Sequence, residues 1–96
     1  MDARITRFRM KTDKIDEARR KLDEMRPRIM DLPGMQHFIN VMGEDGTSYT
    51  ISLIDDKAAS ARSQETLKAI WGEFAPFMAG PPETPTLGEV MADWSK

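Results

Sequence analysis

His37 is the only histidine of the chain, and histidine is the residue type that titrates near neutral pH. On a strand beside a ligand it could act as a general base that takes a proton from a phenol or hydroquinone. The alternative is a structural histidine at a sheet edge or a subunit interface. We take His37 as the candidate catalytic residue. One histidine without any cysteine does not supply a typical zinc site, so we expect no metal centre.

Aromatic residues in the second half of the chain could form the wall of a small-molecule site. Tyr49, Trp71 and Phe74 offer planar apolar surface, and two of them carry a polar handle. The alternative for Trp71 and Phe74 is ordinary core, because both fit the apolar stripe of a helix. Thr6 and Phe8 share one face of the first predicted strand. The candidate substrate-binding residues are Thr6, Phe8, Tyr49, Trp71 and Phe74.

Three arginines, Arg4, Arg7 and Arg9, lie on the same strand. They could bind a carboxylate or an enolate with paired hydrogen bonds. Their more common role is to pair with acidic residues across a sheet or a subunit interface. Asn40 could polarise a carbonyl group, although an asparagine on a strand is usually structural. The carboxylates of residues 16–24 alternate with basic residues, which is typical of a solvated helix face.

The elements that must position these residues alternate along the chain. Hydrophobic and turn patterns predict strands over residues 3–10, 35–42, 48–54 and 85–94. A helix with an apolar stripe from Ile15 to Ile29 lies between the first two strands. The resulting order, β-α-β-β-α-β, predicts an α+β, ferredoxin-like domain with a four-stranded antiparallel sheet and its helices on one face.

Prolines and glycines interrupt both predicted helices. Pro27 predicts a kink or a loosened last turn in the first helix. Asp55 and Asp56 precede the second helix as N-caps, and Gly72 and Pro76 divide it into two pieces. The first half of this helix, residues 58–63, contains mostly small side chains. These either permit close packing against the sheet or leave an opening, and the sequence does not choose between the two.

The third predicted strand alternates between a bulky and a small polar side. Tyr49, Ile51 and Leu53 occupy one side. The other side consists of Ser48, Thr50 and Ser52. Because small polar residues seldom fill a core, we expect the serine and threonine side to face water or a polar seam.

Composition limits the function classes. The 96 residues predict one domain over residues 1–96, with no apolar run near the roughly 20 residues of a membrane span and no signal peptide. A net charge of −2 argues against nucleic acid, and the absence of cysteine fits a cytoplasmic protein. Leu, Ile, Val and Phe total only 18 residues, while Met contributes eight. This predicts a thin core that a second subunit completes.

Several segments together resemble the dimeric α/β-barrel superfamily, and most of all its antibiotic-biosynthesis-monooxygenase type. The similarity extends over about residues 3–94 and rests on the order of the elements and on local sequence. The segments that carry it are Arg-Ile-Thr-Arg-Phe-Arg-Met-Lys (4–11), Thr-Asp-Lys-Ile-Asp-Glu-Ala (12–18), Leu-Pro-Gly (32–34), the Gly43 to Gly46 turn and Asp-Asp-Lys-Ala-Ala (55–59).

The resemblance implies a homodimer of two ferredoxin-like subunits, each with a ligand cleft between its sheet and its helices. Members of the superfamily include cofactor-independent oxygenases of aromatic or quinol substrates, and haem-degrading enzymes that use an Asn, a Trp and a His. By rough alignment those three places hold Thr6, Ser63 and Glu73, and Ile54 ends the third strand where many relatives have Trp. The resemblance therefore implies no haem and no other cofactor. It favours a cofactor-independent monooxygenase; the alternative is a non-catalytic small-molecule-binding or stress-response dimer.

Overall fold

The computed structural model describes all 96 residues, and its elements follow the predicted order. The strands are β1 (Asp2–Arg9), β2 (Met35–Met42), β3 (Thr47–Ile54) and β4 (Thr86–Glu89), and the helices are α1 (Ile15–Met30) and α2 (Lys57–Phe74). All strand pairs are antiparallel, and the sheet order is β2-β3-β1-β4. This is the ferredoxin-like α+β arrangement, so the predicted fold class is confirmed.

The core lies between the two helices and one face of the sheet. Along β1, Arg4, Thr6 and Phe8 are buried, while Ile5 and Arg7 on the other face are exposed. The buried apolar cluster consists of Phe8, Met10, Ala18, Met25, Ile29, Leu32, Ile70, Phe74 and Met78. Methionine fills irregular gaps in a core that has few branched aliphatic residues.

The α1 helix continues through Pro27 to Met30. The missing N–H of Pro27 would bond the Asp23 carbonyl, and both residues lie on the exposed side where water can replace the bond. The Asp31 N–H donates to the Pro27 carbonyl at 3.1 Å and closes the last turn. The predicted loosening of this turn is therefore not observed.

The α2 helix is a single helix, so the predicted division at Gly72 is wrong. Asp56 caps it by accepting a hydrogen bond from the Ala59 N–H at 2.9 Å. Pro76 has the expected effect, because the chain changes to a 3₁₀ turn over Ala75–Phe77. A glycine in a helix costs only about 1 kcal/mol relative to alanine, which the buried neighbours of Gly72 offset.

The small residues of α2 serve close packing. Ala59 is fully buried, and Ser63 is buried with its hydroxyl donating to the Ala59 carbonyl at 2.7 Å. Gly34, in the connection from α1 to β2, has a positive φ of 72°. A Cβ atom on Gly34 would lie 2.6 Å from the Ala59 Cβ. At this end of the molecule the structure therefore leaves no opening.

Two strand predictions need correction. The β4 strand ends at Glu89, well before residue 94, because its pairing ends with Asp2 at the start of β1. Met91 and Trp94 consequently lie beyond the sheet and are almost fully exposed. No helix of this structure combines the length and the apolar character needed to cross a membrane.

The third strand also faces opposite to the prediction. Ser48 and Ser52 are buried against the helices, while Tyr49 lies on the open face of the sheet. Strand register is the reason, because Ser48 lies opposite Phe8 and Ser52 lies opposite Arg4, and both partners face the helices.

Candidate ligand-binding site

A chamber lies between the sheet and the two helices, and strand pairing creates its floor. Thr6 of β1 lies opposite Thr50 of β3, which lies opposite Asn40 of β2. Arg4 and Ser52 form the neighbouring row. All five residues line the chamber. Residues that pair across antiparallel strands point to the same face, so the sheet presents a polar floor to the helices.

The wall opposite this floor is apolar and comes mainly from the helices. The Phe8 ring meets the Trp71 ring edge-on, with centroids 5.1 Å apart and an interplanar angle of 72°. Phe8 also meets Phe74 edge-on at 6.4 Å and 83°. Edge-to-face pairs of this kind are favourable and hold the rings in fixed orientations. The helical lining residues are Leu22, Met25, Ile29, Leu67, Ile70, Trp71 and Phe74.

The chamber is largely filled by its own side chains in this structure. Its volume available to water-sized molecules is about 40 Å³. A protein cavity that binds benzene measures about 150 Å³, so a ring-shaped ligand requires side chains of this chamber to move outward. Leu22 and Asn40 line both the chamber and the two open grooves beside it. We therefore expect ligand entry between α1 and the edge strand β2.

Arg4 is the only charged residue that lines the chamber. It is 93% buried, and its Nη1 donates to the Ser60 hydroxyl at 3.1 Å. No carboxylate oxygen lies within 4.0 Å of its nitrogen atoms. Burial lowers the pKa of Arg4 below its ordinary value, although arginine stays charged at neutral pH. The chamber floor therefore carries a positive charge.

Four of the six predicted site residues meet in the chamber, and their role as ligand contacts stays a prediction. They are Thr6, Phe8, Trp71 and Phe74. Thr6 belongs to the polar floor, while the three aromatic residues form a continuous surface beside it. The elements that bring these four residues together are β1 and the second half of α2, whose stripe brings Trp71 and Phe74 to the sheet.

The other two predicted site residues lie outside the chamber. Tyr49 occupies the open face of the sheet, because strand neighbours alternate and Thr50 points to the helices. His37 is exposed on β2 and lies opposite Leu53, after a register shift that begins at Met35. It borders the outer groove that shares Asn40 with the chamber.

Of the polar floor, only Thr6 is among the site residues predicted from the sequence. Arg4 precedes Thr6 by two residues and therefore shares its face, a signal that was present in the strand pattern. The strand pattern predicts that Thr50 and Ser52 face water or a polar seam, and it leaves Asn40 either structural or able to polarise a carbonyl group. The strand pattern does not show on which side of the sheet the helices pack.

The chamber lining has a limited chemical repertoire. It contains no aspartate, glutamate, histidine, lysine, tyrosine or cysteine, and so no group that serves readily as a general base. It offers hydroxyl and amide groups, one cation and an aromatic wall. The structure contains no cluster of three His, Asp or Glu side chains that could hold a metal ion. This arrangement is suited to a small apolar or aromatic body with polar or anionic substituents.

No family model matches this sequence, and none of the curated proteins matches it either. Solved structures do match. A putative antibiotic biosynthesis monooxygenase from Nitrosomonas europaea superposes with a TM-score of 0.72 at 17% identity, over 96% of this chain and 100% of that chain. One of the same description from Bordetella bronchiseptica gives a TM-score of 0.78 at 9% identity, over 95% of this chain and 97% of that chain.

A protein of unknown function from Nitrosomonas europaea is equally similar, with a TM-score of 0.75 at 15% identity, over 99% of this chain and 93% of that chain. At such low identity, the likeness establishes the fold and carries no activity with it. The predicted resemblance to antibiotic-biosynthesis-monooxygenase structures is confirmed at the level of the fold.

Proposed function

We propose that this chain is a cytoplasmic, homodimeric α/β-barrel protein that binds a small aromatic or quinol compound in the chamber and oxygenates it without a cofactor. The observation that carries this proposal is a polar floor facing an aromatic wall, in the fold of structures described as antibiotic biosynthesis monooxygenases. The chamber orients the ring, and the helices shield it from bulk water.

The reaction balances without a bound oxidant. A hydroquinone and O₂ would yield a hydroxyquinone and one water, and the substrate supplies the electrons that reduce oxygen. The protein must hold the ring and favour loss of a proton from it. Thr6, Asn40 and Thr50 are placed to donate hydrogen bonds to the oxygen substituents of such a ring. His37 remains our candidate base and would take the proton through water in the adjoining groove.

The second candidate function is non-catalytic binding of the same class of ligand, as in a stress-response or regulatory dimer. The observation that favours it is the absence of a general base among the residues that line the chamber. Both functions use the same aromatic wall, so they differ in turnover and not in the site.

The open face of the sheet supports the proposed dimer. Ile5, Ile39, Val41 and Tyr49 lie there with exposures between 39% and 47%, and nothing in the single chain covers them. A contiguous exposed apolar surface is typical of a protein interface. A second copy of the chain, packed sheet against sheet, would cover this face and complete the thin core.

Oxygen uptake with a panel of hydroquinones and anthrones tests the proposal. We expect Trp71→Phe to lower kcat/KM about tenfold, since the smaller ring loses contact with both Phe8 and the ligand. His37→Ala should lower kcat about a hundredfold if His37 takes the proton. Trp94→Phe is the matched control, because Trp94 lies 92% exposed in the tail after β4.

The same panel separates the two candidate functions. Thermal stabilisation by a quinol without oxygen uptake would support the binding function and contradict the oxygenase. Neither turnover nor stabilisation with any compound of the panel would contradict both. Turnover that Trp71→Phe and Trp94→Phe affect equally would place the reaction outside this chamber.

A further inference from the structure

The three arginines of β1 differ sharply in their partners. Arg7 is exposed and forms an ion pair with Glu83 at 3.5 Å. Arg9 is exposed and donates to the Asp45 carbonyl at 3.1 Å and to the Thr47 hydroxyl at 3.2 Å. Arg4 is buried, and its only hydrogen-bond acceptor is the neutral hydroxyl of Ser60. The inward-facing arginine is thus the one that lacks a negatively charged or carbonyl partner.

A buried charge without a counter-charge is unfavourable, because the protein interior solvates ions poorly. The guanidinium of Arg4 has five N–H groups and uses one nitrogen, Nη1, in the bond to Ser60. Every side-chain nitrogen that is fully buried in the structure has a hydrogen-bond partner. Because Nε and Nη2 of Arg4 make no hydrogen bond, each keeps some solvent-accessible surface and stays available as a donor.

We propose that Arg4 makes this chamber selective for ligands that carry an ionised oxygen, a carboxylate or a phenolate, on an aromatic ring. This rests on the proposed function, whose ligand it specifies. The planar guanidinium can grip a carboxylate with two parallel hydrogen bonds, and Ser52 and Thr6 beside it on the sheet can add hydroxyl donors. The helical wall holds the ring. A cation at this position also favours the ionised form of an acidic quinol, so a chamber without a base can still promote deprotonation.

Isothermal titration calorimetry with 2-naphthoate and 2-naphthamide tests this selectivity at pH 7. The two probes have nearly the same shape, and only the first is charged. We expect the wild-type protein to bind naphthoate about ten- to a hundredfold more tightly than naphthamide, as hydrogen bonds to charged groups suggest. Arg4→Met should abolish this preference and leave the affinity for naphthamide nearly unchanged. Arg7→Met is the matched control on the opposite face of the same strand and should retain the preference.

Thermal melting without ligand gives a second, independent readout. Because Arg4→Met removes an unpaired buried charge and keeps the length of the side chain, we expect its Tm to equal or exceed that of the wild type. A large fall in Tm for both Arg4→Met and Arg4→Lys would overturn the proposal, because Arg4 would then hold β1 and α2 together through Ser60.

The outcomes also separate this inference from the proposed function. Equal affinity of the wild type for naphthoate and naphthamide would overturn the anion selectivity and leave a ligand-binding chamber in place. No binding of either probe, together with no stabilisation by any quinol, would overturn the proposed function itself. A naphthoate preference that persists in Arg4→Met would assign the anion to another part of the surface.

Discussion

At the scale of single residues, two glycines differ in the space that a side chain would find at their positions. Gly34→Ala should lower the free energy of unfolding by about 1–3 kcal/mol, because φ is positive and the new Cβ would lie 2.6 Å from the Ala59 Cβ. Gly72→Ala should raise it by about 0.5–1 kcal/mol, because this helical position has open space around it. Urea denaturation at one fixed protein concentration checks both. A neutral Gly34→Ala would contradict the close packing.

Residue types and spacing could predict only part of the candidate site. Thr6 and Phe8 were found because the alternation of β1 is a local property, and Trp71 and Phe74 because a helix stripe is local too. Arg4 shares a face of β1 with Thr6, as the alternation predicts. Its lack of an acidic partner, however, depends on distant residues in α2 and β3. Tyr49 is a predicted site residue because of its aromatic ring and hydroxyl group, but strand register places it on the open face of the sheet.

At the scale of elements, a cluster of charges joins α1 to α2. Glu73 of α2 accepts a hydrogen bond from Lys21 of α1 at 3.4 Å and another from Arg28. The hydrogen bond from Arg28 is the main reason that the pKa of Glu73 lies below its ordinary value of 4.5. This link is one of the contacts between α1 and α2.

The stability due to this link should disappear in acid. A carboxylate with a lowered pKa in the folded state stabilises the protein above its ordinary pKa, and the effect vanishes as the pH falls through the lower, folded-state pKa. We therefore expect the difference in unfolding free energy between wild type and Glu73→Gln to be present at pH 6 and to shrink to nothing as the pH falls below about 4.5. Urea denaturation at each pH measures it. Glu65→Gln, an exposed residue of α2 outside any ion pair, is the control; the same pH dependence in both would contradict the role of Glu73.

At the scale of the whole molecule, our proposal makes the open face of the sheet the dimer interface. We expect light scattering to give a dimer at micromolar concentration, and Val41→Asp to give a folded monomer, because Val41 is 47% exposed on the apolar face. Glu65→Gln, on the helix side, should remain dimeric. A wild-type monomer that stays stable at micromolar concentration would contradict the α/β-barrel assembly.

The sequence by itself determined the order of the elements, the Asp56 cap of α2 and the ferredoxin-like class, since periodicity, prolines and glycines act within a few residues of each other. Only the tertiary structure decided which face of each strand meets the helices. That choice depends on strand register and on where α1 and α2 cross the sheet, both of which join residues far apart in the chain. As a result, Ser48, Thr50 and Ser52 lie inside, Tyr49 and His37 lie outside, and Arg4 is left without a counter-charge in a chamber that the strand patterns could not locate.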